Sequence, residues 1–265
     1  MLLWSRRSRA AAWAVFGILF GLIFGLPFLT IVLMAFAGSW HGVLPSSYTV
    51  SNVVAALNGD SRAELVVSLI TGAVASLVSL AVGTWASLAK GGLRRGGRRT
   101  VDGLFLLPIA VPTVVVGLGL LVAFSKRPVA INGTALLVII AHVVIVTAFA
   151  YSSVSASIAT LDPSYPQVAA SLGGRPWYVL MRIVLPLLTP GLVAAAGLAF
   201  ALSMGELAAT IMVYPPQWTT LPVGIQAHTA RGDVFTAAGM TVILLFATLI
   251  VLLAISRIRN RASYR

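Results

Sequence analysis

The sequence predicts an all-α polytopic membrane protein with six transmembrane helices, on three observations. Of its 265 residues 59% are hydrophobic and 9% charged, with a mean hydropathy of +1.00, which is too little polar surface to cover a water-soluble globule. Six windows are apolar enough and long enough to span a bilayer, which takes about 20 residues of helix. The 18 basic residues, set against 6 acids for a net charge of +12, collect between those windows. That placement is topological and does not form a nucleic-acid-binding face.

Cysteine is absent, so disulfides, thiol catalysis and Cys-ligated metal or iron–sulfur sites are excluded. Three His and six scattered acids leave little material for a hydrolytic or metal-centred site. No metal site and no catalytic residue is expected in this chain.

The windows are residues 13–37, 65–89, 104–124, 135–157, 187–213 and 235–256. The first four are free of Asp, Glu, Lys and Arg, and the fifth carries one charge, Glu206. Six spans place both termini on one side. Fourteen of the eighteen basic residues then fall on that side: Arg6, Arg7 and Arg9; Lys90, Arg94, Arg95, Arg98 and Arg99; Arg175 and Arg182; Arg257, Arg259, Arg261 and Arg265. Arg62, Lys126, Arg127 and Arg231 fall on the other. The positive-inside bias makes the richer side cytoplasmic.

The N-terminal run resembles a signal peptide, but it is too long and lacks a small-residue cleavage site before Pro27, so it reads as a retained helix. Gly17, Gly21 and Gly25 form a small-xxx-small face in it. Such a face admits a close helix neighbour, or reflects only the frequency of glycine in membrane helices. Residues 38–63, with Trp40, His41, Pro45, Tyr48 and Asn52, read as an extracytoplasmic loop with a short helix over 50–57. The Gly/Arg tract at 90–99 lacks phosphate-loop spacing and follows no strand, so it reads as a solvated topogenic loop. No nucleotide-binding motif is present, so any ATP is the business of another polypeptide.

The organisation expected is an N-terminal helix with its outer loop at 1–63, a core at 64–256 with a cytoplasmic loop at 162–190, and a basic tail at 257–265. The loop reads DPSYPQVAASLGGRPWYVLMRIVLPLLTP. Pro163 and Pro166 suit a helix start, residues 167–172 a short helix, and Gly173-Gly174 its break. Pro176 opens a second helix through Ile183, before Pro186 and Pro190 redirect the chain into the membrane. Ala169, Ala170 and Ser171 beside Val168 and Leu172 make a shallow surface suited to a groove on a partner.

At this loop the sequence resembles the inner-membrane permease subunits of bacterial ATP-binding-cassette importers of the type I fold. Their signature is EAA, three residues, Gly, nine residues and I-x-L-P. Here Gln167 stands at the Glu position, Val168 and Ala169 at the two Ala positions, and Gly173, Ile183, Leu185 and Pro186 keep the rest of the spacing. The resemblance, which covers about residues 60–256, implies that 167–173 receives the stroke of a separate ATPase. Gln167 removes any salt bridge that a Glu would make there.

Further stretches resemble one branch of that family. Leu106-Leu107-Pro108, Pro112, Gly117 and Gly119 resemble the bent pathway helix of oxyanion and phosphonate permeases; a Pro-kinked packing helix is the alternative. Gly205-Glu206 through Thr210 resembles the GE-x-GAT stretch of molybdate, sulfate, ferric-ion and aminoethylphosphonate permeases, with Ala208 in place of the second Gly. Glu206 lines the pathway or locks the fifth span to another helix, with His142 a conceivable partner and itself a secondary candidate. Tyr214, Pro215 and Trp218 mark a non-helical outer loop, expected to gate the pathway and meet the binding protein. Its YPPxWxTLP wording is closest to 2-aminoethylphosphonate permeases.

The resemblance implies a bacterial inner-membrane permease with a second permease, identical or related, two ATPase subunits that bind ATP and Mg, an extracytoplasmic binding protein, and no nucleic acid. Molybdate, sulfate or ferric ion is the alternative solute, and polyamine or thiamine a further one. The competing class, a membrane scaffold or intramembrane enzyme, lacks support: no HExxH is present, and a lone Glu206 supplies no acid–base pair.

Overall fold

The computed structural model describes residues 5–263, with side chains described through residue 257. Of the expected basic tail, Arg265 and the side chains of Arg259 and Arg261 lie outside the described residues. Among the described residues five helices are long and apolar enough to cross a membrane: Arg6–Ala35, Gly59–Gly92, Ala135–Ala159, Pro176–Met204 and Val234–Arg257. A sixth candidate is a helix pair, α5 (Arg95–Ala110) and α6 (Thr113–Ala123), bent by 105°.

The chain forms two compact units. One runs to Arg62 and takes in Ile225–Leu245. Its first helix comprises α1 (Arg6–Phe20), a π-helical turn at Gly21–Gly25 and α2 (Leu26–Ala35). A small hairpin follows, β1 (Ala37–Ser39) paired antiparallel with β2 (Ser47–Tyr48), then α3 (Ser51–Ala56) within the expected 50–57. Asn52 Nδ2 donates to Ala35 O at 3.2 Å and Ala37 O at 2.8 Å, closing the end of α2. Ala35, Ala238 and Val242 form the buried core of this unit. Trp13, Phe16, Phe20 and Phe24 form an aromatic ridge along the first helix, Trp13 meeting Phe16 edge to face, Phe16 stacked on Phe20 and Phe20 tilted against Phe24. Beyond its own stretch of helix backbone, a Cβ added at Gly17, Gly21 or Gly25 would meet no described atom within 4 Å.

The second unit holds α4 (Gly59–Ala89) from Ala63 on, α5, α6, α7 (Ala135–Ala159), α8 (Ser164–Ser171), α9 (Pro176–Val179), α10 (Leu185–Met204) and α11 (Ala208–Val213). Along α4, Ser68, Thr71, Ala75, Ser79, Gly83 and Ser87 recur every three or four residues and are all buried. They therefore lie on one helix face. Ser79 Oγ donates to Val143 O at 3.2 Å and receives Thr147 Oγ1 at 2.9 Å. Ser87 Oγ donates to Tyr151 O at 3.3 Å and lies 2.9 Å from Ser155 Oγ. Between them Gly83 presses on α7 so closely that a Cβ would come within 2.9 Å of Tyr151 N. Ala75, Ile145, Val146, Ala150, Ala199 and Ala209 continue the packing to α10 and α11. In the chain beyond, α12 (Leu221–Ala230) and α13 (Val234–Ser263) complete the helices.

The prolines behave differently from expectation in one place. Pro186 and Pro190 do not redirect the chain: Pro176–Met204 is one helix. A π-helical turn at Leu180–Val184, closed by Leu185 N–H to Leu180 O, precedes Pro186 and carries the Arg182 carbonyl that its ring would strike. Pro27 stands at the same distance past the π-turn of the first helix. Pro112 acts as a breaker, holding Val111 at φ −104°, ψ 130° and ending α5.

Gly83→Val should therefore lower the melting temperature of the detergent-solubilised protein, as overpacking by about 1–3 kcal/mol requires. Gly119→Ala, whose site has no described atom within 4 Å, should leave it unchanged. Equal melting of the two variants would contradict the close α4–α7 contact.

Candidate functional site: coupling loop and pathway

Helix α8 begins after an Asx turn in which Asp162 Oδ1 accepts the Ser164 N–H at 2.9 Å. That N–H and the Ser164 hydroxyl hold the Asp162 carboxyl below its ordinary range. The helix ends at Gly173, whose φ of +85° is the left-handed conformation glycine adopts without a Cβ clash. Gly173 N donates to Ala170 O and Gly174 N to Ala169 O, each at 3.0 Å. The turn folds α9 back on α8: a Cβ at Gly174 would lie 3.1 Å from Val179 Cγ2. The helix expected over 167–172 is thus real and starts three residues earlier.

Tyr165, Val168 and Leu172, spaced to share a face of α8, are 53%, 57% and 83% exposed. Gln167, Ala170 and Ser171 are exposed and Ala169 half-buried. Ile183 and Leu185 are half-buried and Pro186 exposed, in the helix that leads away from the loop. On α9, Trp177 stacks on Trp85 of α4 with rings 6.5 Å apart and nearly parallel.

The pathway candidates gather at two helix breaks. At the first, Pro108 lies half-buried inside α5 and Pro112 exposed at the bend. Gly117 is buried against α11, where a Cβ would lie 2.7 Å from Ala209 O, whereas Gly119 faces open space. The second break falls after Met204, in the window expected as one span over 187–213. Gly205 is exposed and Glu206 half-buried. Glu206 Oε1 accepts the Ala209 N–H at 2.7 Å, so this carboxylate caps α11 of its own chain.

His142 does not pair with Glu206. Its Nδ1 lies 2.7 Å from Ser203 Oγ and its Nε2 2.9 Å from Thr210 Oγ1, fully buried. The imidazole therefore ties α7 to both sides of the break, while Thr210 Oγ1 also reaches Glu206 O at 3.2 Å. Nearby, Tyr214 is exposed and Pro215 buried. Trp218 Nε1 donates to Thr71 Oγ1 at 3.0 Å and Leu221 N to Ser68 Oγ at 2.7 Å, so α4 anchors this loop. Gly224 leaves room against α4 for the Glu64 carboxylate, which a Cβ there would overlap.

Sequence reasoning misses a polar cluster of Lys90, Asp102 and Tyr151. Lys90 Nζ lies 2.8 Å from Asp102 Oδ1, and the Tyr151 hydroxyl donates to the same oxygen at 2.5 Å. The one available signal is Asp102 itself, an acid two residues before an apolar window. Among the described residues no group of three or more His, Asp or Glu converges to hold a metal.

The family described as "Binding-protein-dependent transport system inner membrane component" matches residues 79–263. The chain is 45% identical over 264 residues, 98% of both chains, to a Salmonella typhimurium protein provisionally named 2-aminoethylphosphonate transport system permease protein PhnV. It is 28% identical to the sulfate transport system permease protein CysT of Escherichia coli, over 75% of this chain and 76% of that one. Among solved structures, a bacterial transporter that imports the acidic polysaccharide alginate matches with a TM-score of 0.76 and 16% identity, covering 96% of this chain and 98% of that one. The inward-facing MetNI methionine transporter matches with a TM-score of 0.60 and 18% identity, over 76% of this chain and 93% of that one. Six apolar stretches, a sharply bent helix pair and a loop with the family's spacing agree with that match, and the chain belongs to the binding-protein-dependent permeases, as a membrane subunit of an ATP-binding-cassette importer.

Proposed function

We propose that this chain is a permease of a bacterial inner-membrane importer for phosphonates, with 2-aminoethylphosphonate as the solute. The observation that carries the solute is 45% identity along 98% of both chains to PhnV. A sulfate or molybdate solute has weaker support, from 28% identity to CysT and 32% identity over 57% of this chain to the molybdenum permease ModB of Mycobacterium tuberculosis.

In this reading the bent pair α5–α6 counts as one of six spans, and both termini and the loop at 162–190 face the cytoplasm. Residues 1–63 form an N-terminal transmembrane helix and extracytoplasmic loop, 64–256 the permease core, and 257–265 a basic tail. A second permease, identical or related, completes the pathway. The Gln167–Gly173 surface docks on one of two ATPase subunits, which bind ATP and Mg. Exposed Val168 and Leu172 support this docking, because apolar side chains on a short polar-flanked helix gain most by entering a partner's groove. Ile183, Leu185 and Pro186 carry the displacement into α10. The breaks at Val111–Pro112 and 205–207, with Pro108, Gly117, Gly119, Glu206 and Thr210, line or shape the pathway. Irregular backbone is tolerated at membrane depth where it faces protein or a watery cavity. Tyr214, Pro215 and Trp218 form the outer gate, where the binding protein delivers the solute.

Deletion of residues 167–172 should abolish uptake of radiolabelled 2-aminoethylphosphonate in whole cells while the chain stays in the membrane by immunoblot. Gly173→Val, which forces a branched residue to φ +85° at a cost of about 1–2 kcal/mol, should reduce it. Unaltered uptake in the deletion variant would contradict the docking role. Because the chain has no cysteine, single substitutions report topology directly. In spheroplasts a membrane-impermeant maleimide should label Val43→Cys at once, and Ser5→Cys and Leu172→Cys only after permeabilisation. The reverse order would invert the orientation.

A further inference from the structure

Between Trp85 and Lys90, the end of α4 and the turn after it reach three other elements. Trp85 stacks on Trp177 of α9 with ring centroids 6.5 Å apart and planes 5° from parallel. Ser87 bonds Tyr151 O and meets Ser155 Oγ, both on α7. Lys90 Nζ contacts Asp102 Oδ1 of α5 at 2.8 Å and lies 4.9 Å from the centroid of the Tyr151 ring. The Tyr151 hydroxyl closes the cluster on the same carboxylate oxygen, and Phe105 of α5 stacks on the Tyr151 ring at 4.8 Å. One side of this segment therefore touches the loop, and the other grips two helices.

The two indoles are 50% and 63% exposed, so their contact is not part of a buried core. It is the ring contact between the loop's second helix and α4, made at the end of α4 where that helix is cross-linked to α5 and α7. At 6.5 Å between centroids the parallel rings meet offset, and a displacement passed between them breaks no hydrogen bond. The salt-bridged cluster behind it ties α4, α5 and α7 through two donors on one carboxylate oxygen, with the Lys90 and Asp102 side chains 22% and 41% exposed and so partly solvated.

We propose that Trp85 and Trp177 are positioning residues that pass the displacement of the coupling loop into α4, and that Lys90, Asp102 and Tyr151 spread it to α5 and α7 so that the three helices move as one body. The proposal rests on the reading that the loop at 162–190 receives the ATPase stroke. It assigns the pathway helices a direct mechanical input from α4, in addition to the continuous helix from α9 into α10.

The test uses the complete importer in proteoliposomes, with both permeases, the ATPase subunits, the binding protein and 2-aminoethylphosphonate as the probe solute. The quantity read is solute transported per ATP hydrolysed. Trp85→Ala and Trp177→Ala should each lower that ratio by about two- to tenfold, the factor an aromatic pair contributes to an equilibrium. The double variant should fall no further than the worse single one, and Trp85→Phe and Trp177→Phe should restore most of the ratio. Asp102→Asn should lower the ratio likewise and be non-additive with Trp177→Ala. The ATPase subunits should co-purify with every one of these variants. An unchanged ratio in either alanine variant, or losses that multiply in the double one, would overturn the proposal. The coupling-loop reading fails separately, if deletion of residues 167–172 leaves both the bound ATPase and the ratio intact.

Discussion

The contact on which the second unit depends is the close approach of α4 and α7. In a bilayer, lipid tails are as apolar as leucine, so helices gain nothing by hiding apolar surface from one another and associate through tight packing and interhelical hydrogen bonds. The face of α4 meets both needs. Gly83 removes the side chain where the backbones are closest, and Ser79 and Ser87 bond across to α7 on either side. Farther along the same face, Thr71 holds Trp218 at the end of a 3-10 turn, and Ser68 holds Leu221 at the start of α12. A single helix face thus positions a packed pair and the short connection that leads into α12.

Against that frame, the departures from regular helix are local and individually supported. The bend at Pro112 follows from the conformation that proline imposes on Val111, and α6 is held by the fit of Gly117 against Ala209. The break after Met204 is braced by His142 on both sides and capped by Glu206. Each break has one packed side, at Gly117 and at His142, and one exposed residue, Pro112 and Gly205. The loop at 162–178 is the opposite case. Its turn is closed by Gly173 N to Ala170 O and Gly174 N to Ala169 O, yet Val168 and Leu172 are left in the open.

Much of this organisation is legible in the sequence, because each signal is local. Windows without charge, the Gly173-Gly174 stop and the interval from Gly173 to Pro186 all lie along a continuous stretch of chain. The remainder depends on residues distant in sequence or on backbone geometry that composition does not specify. Lys90, Asp102 and Tyr151 come from three helices, and nothing in their spacing announces that they meet. Pro186 reads as a breaker until the π-turn before it is seen to relieve its clash. Glu206 suggests a distant partner, because a charge inside a span demands one, whereas its carboxylate accepts from the buried Ala209 N–H at the start of the next short helix. The serine and threonine ladder of α4 is visible as a period in the sequence, but its partners on α7 and beyond are not.

The central claim is that this permease meets its ATPase through the face of α8 that carries Val168. Photo-cross-linking of the assembled complex tests it most directly: a photoactivatable maleimide is attached at Val168→Cys in the otherwise cysteine-free chain and irradiated in native membranes. The account predicts one dominant adduct between this chain and the ATPase subunit, identified by mass spectrometry. An efficiently labelled chain that cross-links only to lipid, to itself or to the second permease would contradict it.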